Sequence, residues 1–105
     1  MITREKLPTR REAEHFEFVF RGRKFEVGVG RHPDGRIAEV FLSTAKSGAE
    51  MQAIARDAAI TISIMLQHGA PLPVLRAAVT RDHDGNADSP IGALLDRMHE
   101  LEIIQ

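Results

Sequence analysis

The residues best suited to chemistry crowd into one short stretch, Thr80–Pro90, which reads TRDHDGNADSP. Asp82, Asp84, Asn86 and Asp88 alternate along it with Gly85 in the middle, the oxygen-rich composition of a calcium loop. Such a loop needs oxygen ligands at positions 1, 3 and 5, Gly at 6 and a bidentate Glu at 12. Counted from Asp82, the last two positions hold Ala87 and Ala93; counted from Asp84 they hold Ser89 and Leu95. Neither register closes a site. The same residues make a polar turn without any metal. Asp and Asn side chains bond their own backbone, Gly85 accepts a positive φ, and Asp88 or Ser89 caps the helix that follows. We expect no dedicated metal site and no cofactor, with Asp82, Asp84 and Asp88 as the weak metal candidates. A small metal-dependent or hydrolytic enzyme using that loop, with His83, is the alternative function.

A second candidate is TAKSG, which sets Lys46 and Gly48 at a helix N-terminus, where free amides attract anions. It is not a phosphate-binding P-loop, which needs two glycines at fixed spacing before the Lys. Glu50 also competes for the same amides. His15, His32, His68, His83 and His99 are scattered, and no two stand four apart as a helical zinc pair requires. His68 ends a helix, where a cation complements the dipole. Asp57, Thr61 and His68 share one face of a long helix. That stripe either lines a pocket or is the solvent-facing seam, and charge on a helix ordinarily marks the wet side. The chain has no Cys, which excludes disulfides, thiolate nucleophiles and Cys-based metal sites.

These residues need elements to hold them. All five Phe lie at or before position 41, and that part of the chain reads as strands. HFEFVFR and KFEVGVG alternate with a period of two, and RGR between them supplies Gly22 for a tight hairpin. RHPDGR is turn chemistry, with Pro33 and Asp34-Gly35. IAEVFLS follows as a third strand, apolar on both faces except Glu39. Gly28 and Gly30 weaken the middle strand or mark a place where something packs close. The rest reads as helices. Ser47–Glu50 forms a capping box opening a helix with Met51, Ile54, Ala55, Ala58, Ile62, Met65 and Leu66 at helical spacing. Its Ala58–Leu66 stretch is apolar nearly all round, so burial on most sides is expected. Gly69 and Pro71 stop it. Pro73 suits the first turn of a second, short helix, and Ser89-Pro90 opens a third. The expected fold class is α+β: a three-stranded antiparallel β-meander followed by three helices, with a central helix at about 47–68.

At 105 residues the chain is one domain's length. We expect a basic N-terminal arm over 1–13 and a single domain over 14–105. The hydrophobic fraction of 43% and net charge of −1 are those of an ordinary soluble protein and lend no global field for nucleic acid. The arm (Arg4, Lys6, Arg10, Arg11) has no basic face behind it, so a nucleic-acid-associated accessory role is a further alternative that the charge argues against. No apolar run is long enough to span a membrane, and the N-terminus lacks the apolar core of a signal peptide. The expected location is the cytoplasm.

Lys6-Leu7-Pro8, Pro33-Asp34-Gly35-Arg36, Glu39, Phe41, Lys46, Gly48 and Gln67-His68-Gly69 together carry a resemblance. In that order they resemble the TSCPD domain, found near the C-terminus of vitamin-B12-dependent (class II) ribonucleotide reductases and in small stand-alone proteins. The name-giving Thr-Ser-Cys-Pro-Asp motif falls at Asp88-Ser89-Pro90-Ile91. Pro90 is kept, Ser89 stands where the Cys would be, and Ile91 replaces the Asp. Ribonucleotide reduction needs redox-active cysteines and a barrel to hold them, and this chain has neither the cysteines nor the length. The resemblance therefore implies a non-catalytic, ribonucleotide-reductase-related binding or accessory module. Its partner would be itself as a homodimer, a ribonucleotide-reductase-like protein, or a nucleotide. For a ligand, the expected residues are Arg36, Lys46, Gly48 and Arg56, near the start of the central helix, where amides and cations would converge.

Overall fold

Three antiparallel strands precede three helices: β1 (Ala13–Phe20), β2 (Arg23–Arg31), β3 (Ile37–Ser43), α1 (Ala49–Gln67), α2 (Leu72–Ala78) and α3 (Pro90–Ile103). The computed structural model describes residues 3–7, 13–44 and 48–103. The α+β class and the strands-then-helices order follow the sequence pattern. The sheet is a meander in the order β1-β2-β3. Arg21 and Gly22 turn the β1–β2 hairpin with φ of 50° and 81°, and the flanking pair is Phe20–Arg23. A two-residue turn with both φ positive matches the right-handed twist of the strands it joins.

Cross-strand register sorts the side chains. Phe18 faces Phe25, Phe16 faces Val27, Val27 faces Leu42 and Val29 faces Val40. These share one face, where Phe18, Phe25, Val27, Val29, Val40 and Leu42 are buried. The Phe18 and Phe25 rings stack at 5.2 Å between centroids. The other face carries three rows that cross all three strands, Ala13–Gly30–Glu39, His15–Gly28–Phe41 and Glu17–Glu26–Ser43. On β3 the burial departs from expectation. Glu39, read as the polar exception, is 8% exposed, while Phe41 is 56% exposed.

α1 runs along β3. The Ser63 hydroxyl accepts the Val40 amide at 2.9 Å, and the Gln67 side-chain amide donates to the Ala38 carbonyl at 3.0 Å. At the other end Gln52 accepts the Thr44 amide and donates to the Thr44 carbonyl. The helix thus serves as a fourth rung on the strand edge, satisfying backbone groups that would otherwise face no partner. Its buried residues are Ala55, Ala59, Ile62 and Gln67 alone. Burial on most sides does not occur, and Ile54, Ile60, Ile64 and Met65 remain exposed. The N-cap is Gly48, with no side-chain capping bond. The capping box expected at Ser47–Glu50 involves Ser47, which lies outside the described residues.

Contacts group the chain into two compact units, Met1–Gly69 and Ala70–Gln105. In the second unit Leu72, Leu75, Leu94, Leu95 and Met98 are buried. Asp96 of α3 accepts Arg76 of α2 at 3.0 Å and both guanidinium nitrogens of Arg81 at 2.7 and 2.8 Å. Foremost the Arg81 hydrogen bonds, and then those of Arg76, hold the Asp96 carboxyl below the usual carboxylate range, against the opposing pull of burial. Among the described residues no helix is long and apolar enough to cross a membrane.

Candidate functional site: a groove between the sheet and α1

Within the first unit a groove of about 810 Å³ lies between the less apolar sheet face and α1. Its helical wall is Arg56, Ile60 and Ile64, spaced four apart and so stacked on one stripe. Its floor is Phe41 and Gly28, and its far side is His15, Glu17 and Glu26. Glycine makes the floor. A Cβ on Gly28 would lie 3.3 Å from His15 Cε1 and 3.4 Å from Phe41 Cδ2, so the two rings flank the space a side chain would fill. On Gly30 a Cβ would come within 2.8 Å of Glu39 Cγ, closer than real side chains approach. The close packing expected at these two glycines is what the fold contains, and its source is the neighbouring strands.

The charges around the groove are unevenly paired. Glu17 bonds Lys24 at 2.5 Å. Glu26 and Arg56 are both exposed in the groove walls, and neither makes an ion pair with a described residue. Ser63 and Gln67 line the inner wall but are already engaged: the Ser63 hydroxyl and the Gln67 Nε2 bond β3, and the Gln67 Oε1 accepts Arg4.

Residues 3–7 fasten the end of the groove. Arg4 donates to Gln67 Oε1 at 2.6 Å, and the Glu5 amide donates to the Gln67 carbonyl at 2.7 Å. Glu5 in turn accepts Arg36 at 3.0 and 3.2 Å and stands 3.7 Å from Nδ1 of buried His32. Asp34 accepts both the Arg36 amide and its guanidinium, which lowers the Asp34 carboxyl below its usual range. Hydrogen bonds to Glu5, and then to Asp34, raise the Arg36 guanidinium above its ordinary value. On β2, Arg31 bonds Glu14 at 2.5 Å and lowers that carboxyl, chiefly by this hydrogen bond. The Pro33–Arg36 turn and Gln67, prominent in the sequence, thus act as fasteners of the N-terminal segment.

The expected ligand set is not brought together. Arg36 precedes β3 and bonds Glu5, which is tied to Gln67 at the C-terminal end of α1. Gly48 caps the opposite end of that 19-residue helix, roughly 28 Å away at the helical rise. Placing Arg36 near the start of α1 is therefore corrected: β3 carries the chain across the sheet between Arg36 and Gly48. Lys46 lies outside the described residues. Arg56 does line the groove. Asp57, Thr61 and His68 are exposed, as a solvent-facing seam requires.

The Asp82–Asp88 stretch is a closed turn. Asp82 Oδ1 accepts the amides of Asp84 and Asn86 at 2.9 and 3.0 Å. The Asp82 amide donates to the Asn86 carbonyl and the Asp88 amide to the Thr80 carbonyl. Ser89 Oγ accepts the Gly92 amide at 3.1 Å and caps α3. Among the described residues no three His, Asp or Glu side chains gather as a metal site. Sequence reasoning missed the groove residues His15, Glu26, Phe41, Ile60 and Ile64. The available signal was the glycine pair on β2 together with the Arg56–Ile60–Ile64 stripe.

A family model, the TSCPD domain, matches residues 3–94. The chain is 38% identical over 72 residues to a vitamin B12-dependent ribonucleotide reductase of Bradyrhizobium diazoefficiens, covering 69% of this chain and 6% of the relative. It is 42% identical over 69 residues to the vitamin B12-dependent ribonucleotide reductase of Agrobacterium fabrum, covering 66% of this chain and 5% of that one. Against the protein of the same name from Rhodopirellula baltica the identity is 36% over 72 residues, covering 69% and 7%. The match thus spans under a tenth of each curated relative's length. No solved structure matches.

Proposed function

The chain belongs to the TSCPD domain family, and from that membership we propose that it works by binding, as a non-catalytic module related to the vitamin B12-dependent ribonucleotide reductases and acting in the cytoplasm. The observation that carries this reading is the absence of any Cys from the sequence. A thiol nucleophile or a redox-active thiol pair has no residue to come from in this chain. The match also falls on a small fraction of each reductase, which supports kinship with a part of the enzyme and not with its reaction. The binding target under this proposal is a reductase of that class, in the context of deoxyribonucleotide supply, and nucleotides are the alternative ligand.

The experiment mixes the purified chain with a purified vitamin B12-dependent ribonucleotide reductase and follows sedimentation of both. Co-sedimentation is expected. A chain that sediments independently of the reductase, and whose melting temperature no nucleoside triphosphate shifts, overturns the proposal.

A further inference from the structure

We infer that the groove between the sheet and α1 is closed by a second copy of this chain, with α1 of each copy lying on the β1–β2 face of the other. This goes beyond reductase binding and does not rest on it, because the purified chain alone tests it.

Three apolar side chains line the groove with much of their surface in water: Phe41 at 56%, Ile60 at 49% and Ile64 at 38% exposure. Exposed apolar groups scattered singly need no explanation, but these adjoin one another around one concavity. Beside the Ile pair the sheet surface is low and partly apolar: Gly28 has no side chain, and the His15 and Phe41 rings close in over it. A ridge of Ile side chains and a shallow floor of two rings over a glycine are complementary surfaces. They occur on the same molecule, at opposite sides of one groove.

The charges say how the two copies are turned. Across the groove the elements run β1, β2, β3, α1. Glu17, Glu26 and Ser43 form one row. Arg56 is level with that row, because it stands one helical turn beyond Gln52, which bonds Thr44. One copy therefore carries acid at one end of the row and a cation at the other. A two-fold axis lying in the groove along the strand direction exchanges the two ends and keeps the rows. It sets Arg56 of each copy against Glu26 of the other, and Ile60 against the Gly28 row. Such a contact is isologous and closes with two copies. Neither Arg56 nor Glu26 has an ion-pair partner among the described residues, so the pairing breaks no ion pair among them.

The test is sedimentation equilibrium of the full chain over a range of concentrations. A dimer of the 11.7 kDa chain is expected. Arg56→Glu alone sets like charges together twice per dimer, and Glu26→Arg alone does the same with the opposite sign. Each is expected to weaken the dimer by about tenfold or more, since like charges juxtaposed at an interface are costly. Both positions are exposed, so circular dichroism of each variant should match the parent. An equimolar mixture of the two variants restores both opposite-charge pairs and is expected to dimerise again. Ile60→Asp should abolish the dimer. A monomer at every concentration, a dimer indifferent to either charge reversal, or a mixture that fails to recover overturns the inference.

Discussion

Asp96 receives hydrogen bonds from two guanidiniums, and that makes its contribution depend on pH. Its folded carboxyl sits below the usual value of 3.8 because Arg81, and then Arg76, favour the ionised form. A depressed carboxyl stabilises the fold above its unfolded pKa, and that stability drains away as pH falls through the folded value. Asp96→Asn should therefore destabilise the protein by about 1.5–3 kcal/mol near neutral pH, the range for hydrogen bonds to charged groups. The difference should shrink as pH drops below about 4. Urea unfolding of parent and variant across that range checks both parts, and a constant difference at all pH values would refute the assignment. At this scale the sequence was legible where a residue acts on its own neighbours. Ser89 as N-cap and Asp82 as turn-former follow from rules that reach three or four residues. Gln67 was opaque. Its side chain meets Ala38 and Arg4, and nothing near it in the sequence announces either.

Among elements, β2 depends on what its neighbours put over its glycines. Gly30→Ala would drive a Cβ into the buried Glu39 side chain, and overpacking of this kind costs about 1–3 kcal/mol. Removing the obstacle with Glu39→Ala should make the second substitution cheaper. The double variant is expected to be more stable than the sum of the single changes predicts, by at least about 0.5 kcal/mol. Additive losses in thermal or denaturant unfolding would show that Gly30 matters for some other reason. The same scale explains the misjudged helix. Ala58–Leu66 is apolar nearly all round, and a rule based on composition asks for burial all round. α1 instead lies along one strand edge, so a single stripe of Ala55, Ala59 and Ile62 is covered. Periodicity tells that a helix exists, but it does not tell how many neighbours the helix has.

For the whole molecule, basic and acidic residues nearly cancel, 14 against 15. Several basic residues of the first unit are also spoken for: Arg4 by Gln67, Lys24 by Glu17, Arg31 by Glu14 and Arg36 by Glu5 and Asp34. Binding to nucleic acid through released counterions needs free cations in number. No retardation of duplex DNA is therefore expected in a gel-shift experiment at about 0.15 M salt, where the screening length is about 8 Å. Retention that falls steeply with added salt would contradict this.

The line between what was readable and what was not follows the reach of each interaction. Strands, helices, the Arg21-Gly22 hairpin, the Pro71–Pro73 break and the Ser89 cap are decided within a few residues. Alternation, helical spacing, Gly and Pro could therefore be read directly. The family pattern was readable for the same reason, as an ordered string of residues. Three facts needed the folded chain. Arg36 and Gly48 lie at opposite ends of α1; Glu39 is buried while Phe41 is exposed; and Arg56, Ile60 and Ile64 look across a groove at Gly28 and Glu26. Each depends on α1 running back along β3, an arrangement set by contacts between residues such as Ser63 and Val40 that sequence spacing alone does not encode.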